Sequence, residues 1–128
     1  MKPFIPNFKK CKVVSVYDGD TITVAAYLKG DPQCYKFKVR LNGIDSPELR
    51  GSSTTEKQYA IESRDALKER ILDQEIYLNI VGTEKYGRIL GDVIYKGENI
   101  NKWMVEKGYA IVYDGGTKHK DPKWNNIL

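Results

Sequence analysis

Lys12-Val13-Val14-Ser15-Val16-Tyr17, then Asp18-Gly19-Asp20, then Thr21-Ile22-Thr23-Val24: the reading of this stretch decides the fold. Both flanking runs are rich in β-branched residues, which fit a pleated, half-buried surface. The Asp-Gly-Asp between them is a tight-turn signal. The first strand is read from Lys10 to Tyr17 and the second from Thr21 to Leu28, with Ile22 and Val24 alternating against Thr21 and Thr23. Lys29-Gly30-Asp31-Pro32 makes the next turn. A third strand follows from Cys34 to Leu41, where Phe37 and Val39 alternate against Lys36, Lys38 and Arg40. The stretch is a three-stranded meander.

Beyond the meander the period changes. Residues 43–55 carry Gly, Pro, Ser and Thr and read as a loop. Thr54 or Thr55 caps a helix from about Glu56 to Leu72, with Ala60, Leu67 and Ile71 on one face. A fourth strand spans Glu75–Ile80, a turn spans Val81–Gly87, and a fifth strand spans Arg88–Tyr95. Asn99–Lys107 is a short helix with Ile100, Trp103 and Met104 inward and Gly108 just past its end. Tyr109–Tyr113 is short and extended, and Asp121-Pro122 opens a last helical turn. Three strands, a helix, two strands and a short helix are the order of an α+β, mainly β protein: a five-stranded OB-fold barrel with two to three helices. Residues 1–9 are expected to be an extended arm and 10–128 one domain.

The 128 residues suit one core, with 41% apolar and 30% charged side chains. No apolar run approaches the ~20 residues of a membrane span. Two prolines interrupt Met1–Asn7, so no signal peptide is read there; an intracellular protein is expected unless a leader has been removed. No membrane partner is expected, and a monomer is. The net charge of +4 permits a polyanionic partner without demanding one. Two cysteines and the single His119 fall short of the three or four ligands of a zinc site. Cys11 and Cys34 are placed on strands, in core or half-buried positions, and a disulfide between them stays open.

Antiparallel pairing of strands two and three puts the start of one beside the end of the other. Asp20 and Thr21 then neighbour Leu41, Asn42 and Gly43, and the turn Asp18-Gly19-Asp20 faces the loop Gly43-Ile44-Asp45-Ser46-Pro47-Glu48. Alone, each segment is an ordinary turn or loop. Together they gather Asp18, Asp20, Asp45 and Glu48 at one end of the barrel, with Arg40 beside them. Clustered carboxylates repel one another, and a hard divalent cation taking oxygen ligands is the usual reason to keep them together.

Three blocks carry a resemblance: Val16–Thr21, Arg40–Glu48 and Glu84-Lys85-Tyr86-Gly87-Arg88. In content, order and spacing they resemble the signature blocks of the staphylococcal nuclease (thermonuclease) family, over roughly residues 10 to 115. The resemblance implies a Ca²⁺-dependent endonuclease, with Mg²⁺ or another divalent ion as the alternative, that hydrolyses DNA and/or RNA, single strands preferred, to 3′-phosphate products. It implies Asp20, Asp45 and the Ser46 backbone carbonyl as metal ligands, with Asp18 behind them on the same turn. It implies Glu48 as the residue that orients or deprotonates the attacking water, and Arg40 and Arg88 on the scissile phosphate. Lys85, Tyr86 and Tyr113 match positions that hold the nucleotide. The types make chemical sense, because a guanidinium grips two phosphoryl oxygens at once and an ammonium does not. Among its departures from the secreted bacterial enzyme, the loop Leu49–Thr55 has one basic residue, Arg50, where that enzyme is lysine-rich, and the segment Tyr113–Lys118 has its own character.

Two other readings compete. A catalytically weak module of the same fold could bind single-stranded nucleic acid or protein, but such modules lack some of the acidic or arginine positions present here. A plain OB-fold single-strand binder needs exposed aromatics on the barrel face. Tyr17, Tyr27 and Tyr35 are available for that, though core or rim roles are expected of them.

Overall fold

The computed structural model describes residues 8–49, 53–85 and 87–113. Among these residues eight strands and two helices follow in the order β1 (Lys10–Asp18), β2 (Thr21–Tyr27), β3 (Cys34–Leu41), β4 (Ile44–Asp45), α1 (Thr54–Ile71), β5 (Glu75–Thr83), β6 (Ile89–Tyr95), β7 (Glu98–Asn99), α2 (Ile100–Glu106) and β8 (Ile111–Val112). Strands β3-β2-β1-β5-β6 pair in that order, all antiparallel, and β3 closes on β6 in parallel. The result is a closed five-stranded barrel of the OB type, mostly strand, with two helices. The third helix expected from Asp121 lies outside the described residues.

Alternation fills the barrel. Val13, Ile22, Val24, Val39, Leu41, Ile76 and Val93 point inward and are fully buried, and α1 adds Leu67 and Ile71. Of the expected arm only Phe8 and Lys9 are described; Phe8 is buried, with its ring stacked on Phe37 at 5.0 Å.

Several boundaries differ from the sequence expectation. Helix α1 starts at Thr54, and its cap is Ser53, whose Oγ accepts from Glu56 N at 3.0 Å, so Thr54 and Thr55 already lie inside the helix. Ser53 and Glu56 have the spacing of a capping box. Strand β5 runs on to Thr83 past a bulge between Ile80 and Gly82, a place where glycine signals an irregular strand rather than its end. The loop after β3 contains β4, which pairs with β8. Helix α2 is capped by Asn99, whose side chain accepts from Lys102 N at 3.1 Å.

The two cysteines separate. Cys11 is buried, Cys34 is exposed rather than half-buried, and both are free thiols. Burial pushes the Cys11 thiol up to about 12, with the Glu75 charge adding to the effect, so it remains protonated and shielded. One thiol per native chain, Cys34, is therefore expected to react with a disulfide reagent, and the second only after denaturation. Two rapid equivalents without denaturant would contradict this packing.

Candidate functional site

The hairpin between β1 and β2 and the loop after β3 meet at one end of the barrel. Thr21 pairs with Arg40 across the sheet, and Leu41 N donates to Asp20 O at 2.8 Å, so the expected adjacency is present. Gly19 makes the approach possible. A Cβ there would lie 2.8 Å from Ser46 Cβ and 2.9 Å from Ser63 Cβ, so any side chain would push the two loops apart.

Asp20 and Asp45 are both buried. Asp20 Oδ2 accepts from Ser46 N at 2.9 Å and Oδ1 from Thr21 Oγ1 at 3.0 Å. The Arg40 guanidinium lies between the two acids, 3.3 Å from Asp20 Oδ2 and 3.5 Å from Asp45 Oδ1. Burial alone would push the Asp20 carboxyl up; Arg40, with hydrogen bonds from Asp18, Ser46 and Thr21, outweighs it and holds the group below the usual carboxylate range. Asp18 shows the opposite balance. Burial, and then the neighbouring Asp20 charge, push its carboxyl up to about 7. Its Oδ1 accepts from Asp20 N at 3.1 Å, so it holds the turn from behind.

Arg88 approaches from the start of β6. Its Nε and Nη2 donate to the two Glu84 carboxylate oxygens, each at 2.8 Å, while Nη1 lies 3.4 Å from Thr21 Oγ1. The Glu84 hydrogen bonds raise the Arg88 pKa further above its ordinary value. Asp18, Asp20, Thr21, Arg40, Asp45, Ser46, Glu48 and Arg88 line one cavity of about 170 Å³. A larger concavity, about 540 Å³, lies between α2 and the β4–β8 pair. Size does not make it the better candidate, because no arginine lines it and no convergence of acids with guanidinium groups occurs there.

Most of the expected site residues come together. Asp18, Asp20, Arg40, Asp45, Ser46, Glu48 and Arg88 share the cavity. Tyr113 is anchored by its N–H donating to Gly43 O at 2.8 Å, with its ring 5.7 Å from Arg40 Cζ. Lys85 is exposed and does not line the cavity. Tyr86 lies outside the described residues. Among the described residues no three His, Cys, Asp or Glu side chains group closely enough to enclose a metal ion by themselves. The chemistry of the two buried carboxylates, Asp20 and Asp45, nevertheless suits a hard cation, which takes oxygen ligands and leaves further positions to water.

Three contributors were missed from the sequence. Thr21 links Asp20 to Arg88, and Glu84 holds one edge of Arg88. Asn101 sits buried on α2, where it accepts from Val93 N (3.0 Å) and donates to Asn42 O (2.8 Å) and Gly91 O (3.2 Å). It thereby ties α2 to β6 and to the loop that follows Arg40. Asn101→Ala strands these backbone groups in the interior, at an expected cost of about 2–4 kcal/mol in chemical denaturation. A loss within about 0.5 kcal/mol, the range of ordinary surface changes, would refute the tie.

The family model described as staphylococcal nuclease homologue matches residues 38–127. An "Uncharacterized endonuclease" of Haemophilus influenzae is 34% identical over 103 residues, covering 80% of this chain and 52% of the relative. One of the same name from Escherichia coli is 35% identical over 104 residues, 80% of this chain and 60% of the relative. The "Thermonuclease" of Staphylococcus hyicus is 32% identical over 106 residues, 81% and 59% respectively. The chain thus spans between about half and three-fifths of these relatives' lengths. Because the family model covers well over half of the sequence, including the loop that carries Asp45, Ser46 and Glu48, the chain belongs to the staphylococcal nuclease homologue family.

Proposed function

We propose that the chain is a metal-dependent phosphodiester hydrolase, an endonuclease on DNA and/or RNA with single strands preferred and Ca²⁺ as its working ion. The observation that carries this reading is the convergence of Arg40 and Arg88 with two buried carboxylates and Glu48 on one small cavity. The relatives' names point the same way.

Asp20, Asp45 and the Ser46 carbonyl would hold the cation, which when bound supplies positive charge and Lewis acidity to the phosphoryl group. Glu48, exposed and lining the same cavity, would take a proton from water. Arg40 and Arg88 hold the phosphoryl oxygens, and Tyr113 packs beside Arg40 to position the nucleotide, with Lys85 and Tyr86 completing that hold from the segment before Arg88. Deprotonated water attacks phosphorus as the bond to the 5′-oxygen breaks and that oxygen takes up a proton from solvent, leaving a 3′-phosphate and a 5′-hydroxyl with inversion at phosphorus. No side chain enters a covalent intermediate.

The test is cleavage of end-labelled single-stranded DNA and RNA by the purified full chain in Ca²⁺, in Mg²⁺ and in excess chelator. Cleavage that chelator abolishes, giving 3′-phosphate ends by mass spectrometry, is expected. Binding without cleavage in every metal would leave the non-catalytic module as the better reading, and 3′-hydroxyl ends would overturn the assigned roles.

A further inference from the structure

The outward face of β1, β2 and β3 is unusual in composition. Phe37, Val39 and Leu41 of β3 turn inward, so Lys36, Lys38 and Arg40 turn outward on alternate positions. Neither Lys36 nor Lys38 forms a salt bridge with an acid among the described residues, and both are exposed. Across the sheet Thr21, Thr23 and Ala25 of β2 pair with Arg40, Lys38 and Lys36 respectively. These small side chains make a shallow floor beside a row of cations that begins at the candidate phosphate residue Arg40. Two aromatic rings border that floor: Tyr17 at the β1 bulge next to Thr21, 56% exposed, and Tyr27 at the far end of β2, 64% exposed. The sequence suggested core or rim roles for them, and neither is in the core. Tyr35 differs in that its hydroxyl donates to Asp31 Oδ2 at 2.8 Å inside its own hairpin.

We propose that this face is an extended binding track that carries a single nucleic-acid strand away from the scissile phosphate, with Lys38 and Lys36 meeting successive phosphates and Tyr17 and Tyr27 stacking on bases. Alternate residues on a strand are about 6.6 Å apart, a spacing comparable with that of phosphates along an extended single strand. Cationic rows with flanking aromatics are how single strands are bound without sequence preference. A duplex does not fit the same scheme, because its bases are stacked inside and cannot reach Tyr17 or Tyr27. The acids near the track are accounted for. Glu75 pairs with Lys10 at 2.9 Å, and Asp18 belongs to the site itself.

The direction of the strand follows from the nuclease reading, but its binding does not, and the experiment separates the two. A fluorescent oligothymidylate is titrated into the full chain in chelator, at several salt concentrations, so that no cleavage intervenes. For Lys36→Gln/Lys38→Gln the slope of log affinity against log salt is expected to fall by about 1.4, at about 0.7 per lost phosphate contact, with affinity about tenfold lower at moderate salt. Tyr27→Ser should weaken binding with the slope unchanged, since stacking releases no counterions. A control, Lys57→Gln/Lys68→Gln on α1, makes the same change in net charge and should leave the slope alone. In cleavage assays with Ca²⁺ the β3 double variant should raise KM for a twelve-nucleotide substrate and leave a dinucleotide substrate unaffected. An unchanged slope, an equal loss in the α1 control, or an equal loss on the dinucleotide would each overturn the track. Normal binding behaviour with no cleavage of either substrate would uphold the track and overturn the nuclease reading.

Discussion

Asp20→Ala and Asp45→Ala are each expected to remove measurable Ca²⁺ binding by calorimetry and to lower cleavage by about 10²–10³-fold or more, the scale of losing one fixed electrostatic partner of transition-state charge. Both barrels should remain folded. The reason lies in how the acids are held. Asp20 is fixed by Ser46 N and Thr21 Oγ1, and both acids flank Arg40. Removing one leaves Arg40 a partner in the other, so no buried charge is left wholly uncompensated, the situation that makes such truncations ruinous to folding. Removal of Asp20 also relieves Asp18, whose carboxyl its charge helps to push up. Unaltered Ca²⁺ affinity in both variants would place the cation elsewhere and dismiss the ligand assignment.

Much of this arrangement is legible in the sequence. Alternation of Phe37 and Val39 against Lys36, Lys38 and Arg40 specifies which face of β3 is inside, because a one-residue slip would bury the charges. Pairing of β2 with β3 then brings Asp20 to Leu41 by geometry alone, as the 2.8 Å backbone bond reflects. What stayed hidden depends on tertiary neighbours. Asn101 follows Ile100 in a short helix, and nothing local says that its amide will be buried and satisfied by Val93, Asn42 and Gly91. Glu84 and Arg88 are four apart, but they meet across a turn rather than along a helix, so the helical pairing rule does not predict them. Val81–Gly87 reads as a turn, yet residues 81–83 lie within β5, past an irregularity between Ile80 and Gly82 across which the strand continues.

Arg88→Lys and Arg40→Lys keep the charge and are each expected to lose about 2–4 kcal/mol of transition-state stabilisation. For Arg88 the argument is geometric. Its Nε and Nη2 are engaged by Glu84 while Nη1 faces Thr21 and the cavity. A guanidinium has five N–H donors in a fixed plane, so one edge can be held by a carboxylate while the other meets a phosphoryl group. Glu84 thus aims the free edge without occupying it. A lysine ammonium offers three donors at one point on a flexible stem. Beside Glu84 it would be drawn into a simple ion pair, with its remaining donors undirected. Arg40 meets a similar demand, reaching Asp20 from Nη1 and Asp45 from Nη2; a lysine could not bridge both acids and still face the substrate. The loss should therefore appear in kcat more than in KM, because the grip matters most as charge builds on the phosphoryl oxygens. Ca²⁺ affinity of Arg88→Lys should be close to that of the parent, since Arg88 Nη1 donates to Thr21 Oγ1, which in turn donates to Asp20, so that the link to this proposed ligand is indirect. Steady-state cleavage of a defined oligonucleotide, with calorimetry on the same samples, decides it. Near-parental kcat in either lysine variant would show that charge alone suffices and that neither arginine grips the phosphate through two donors.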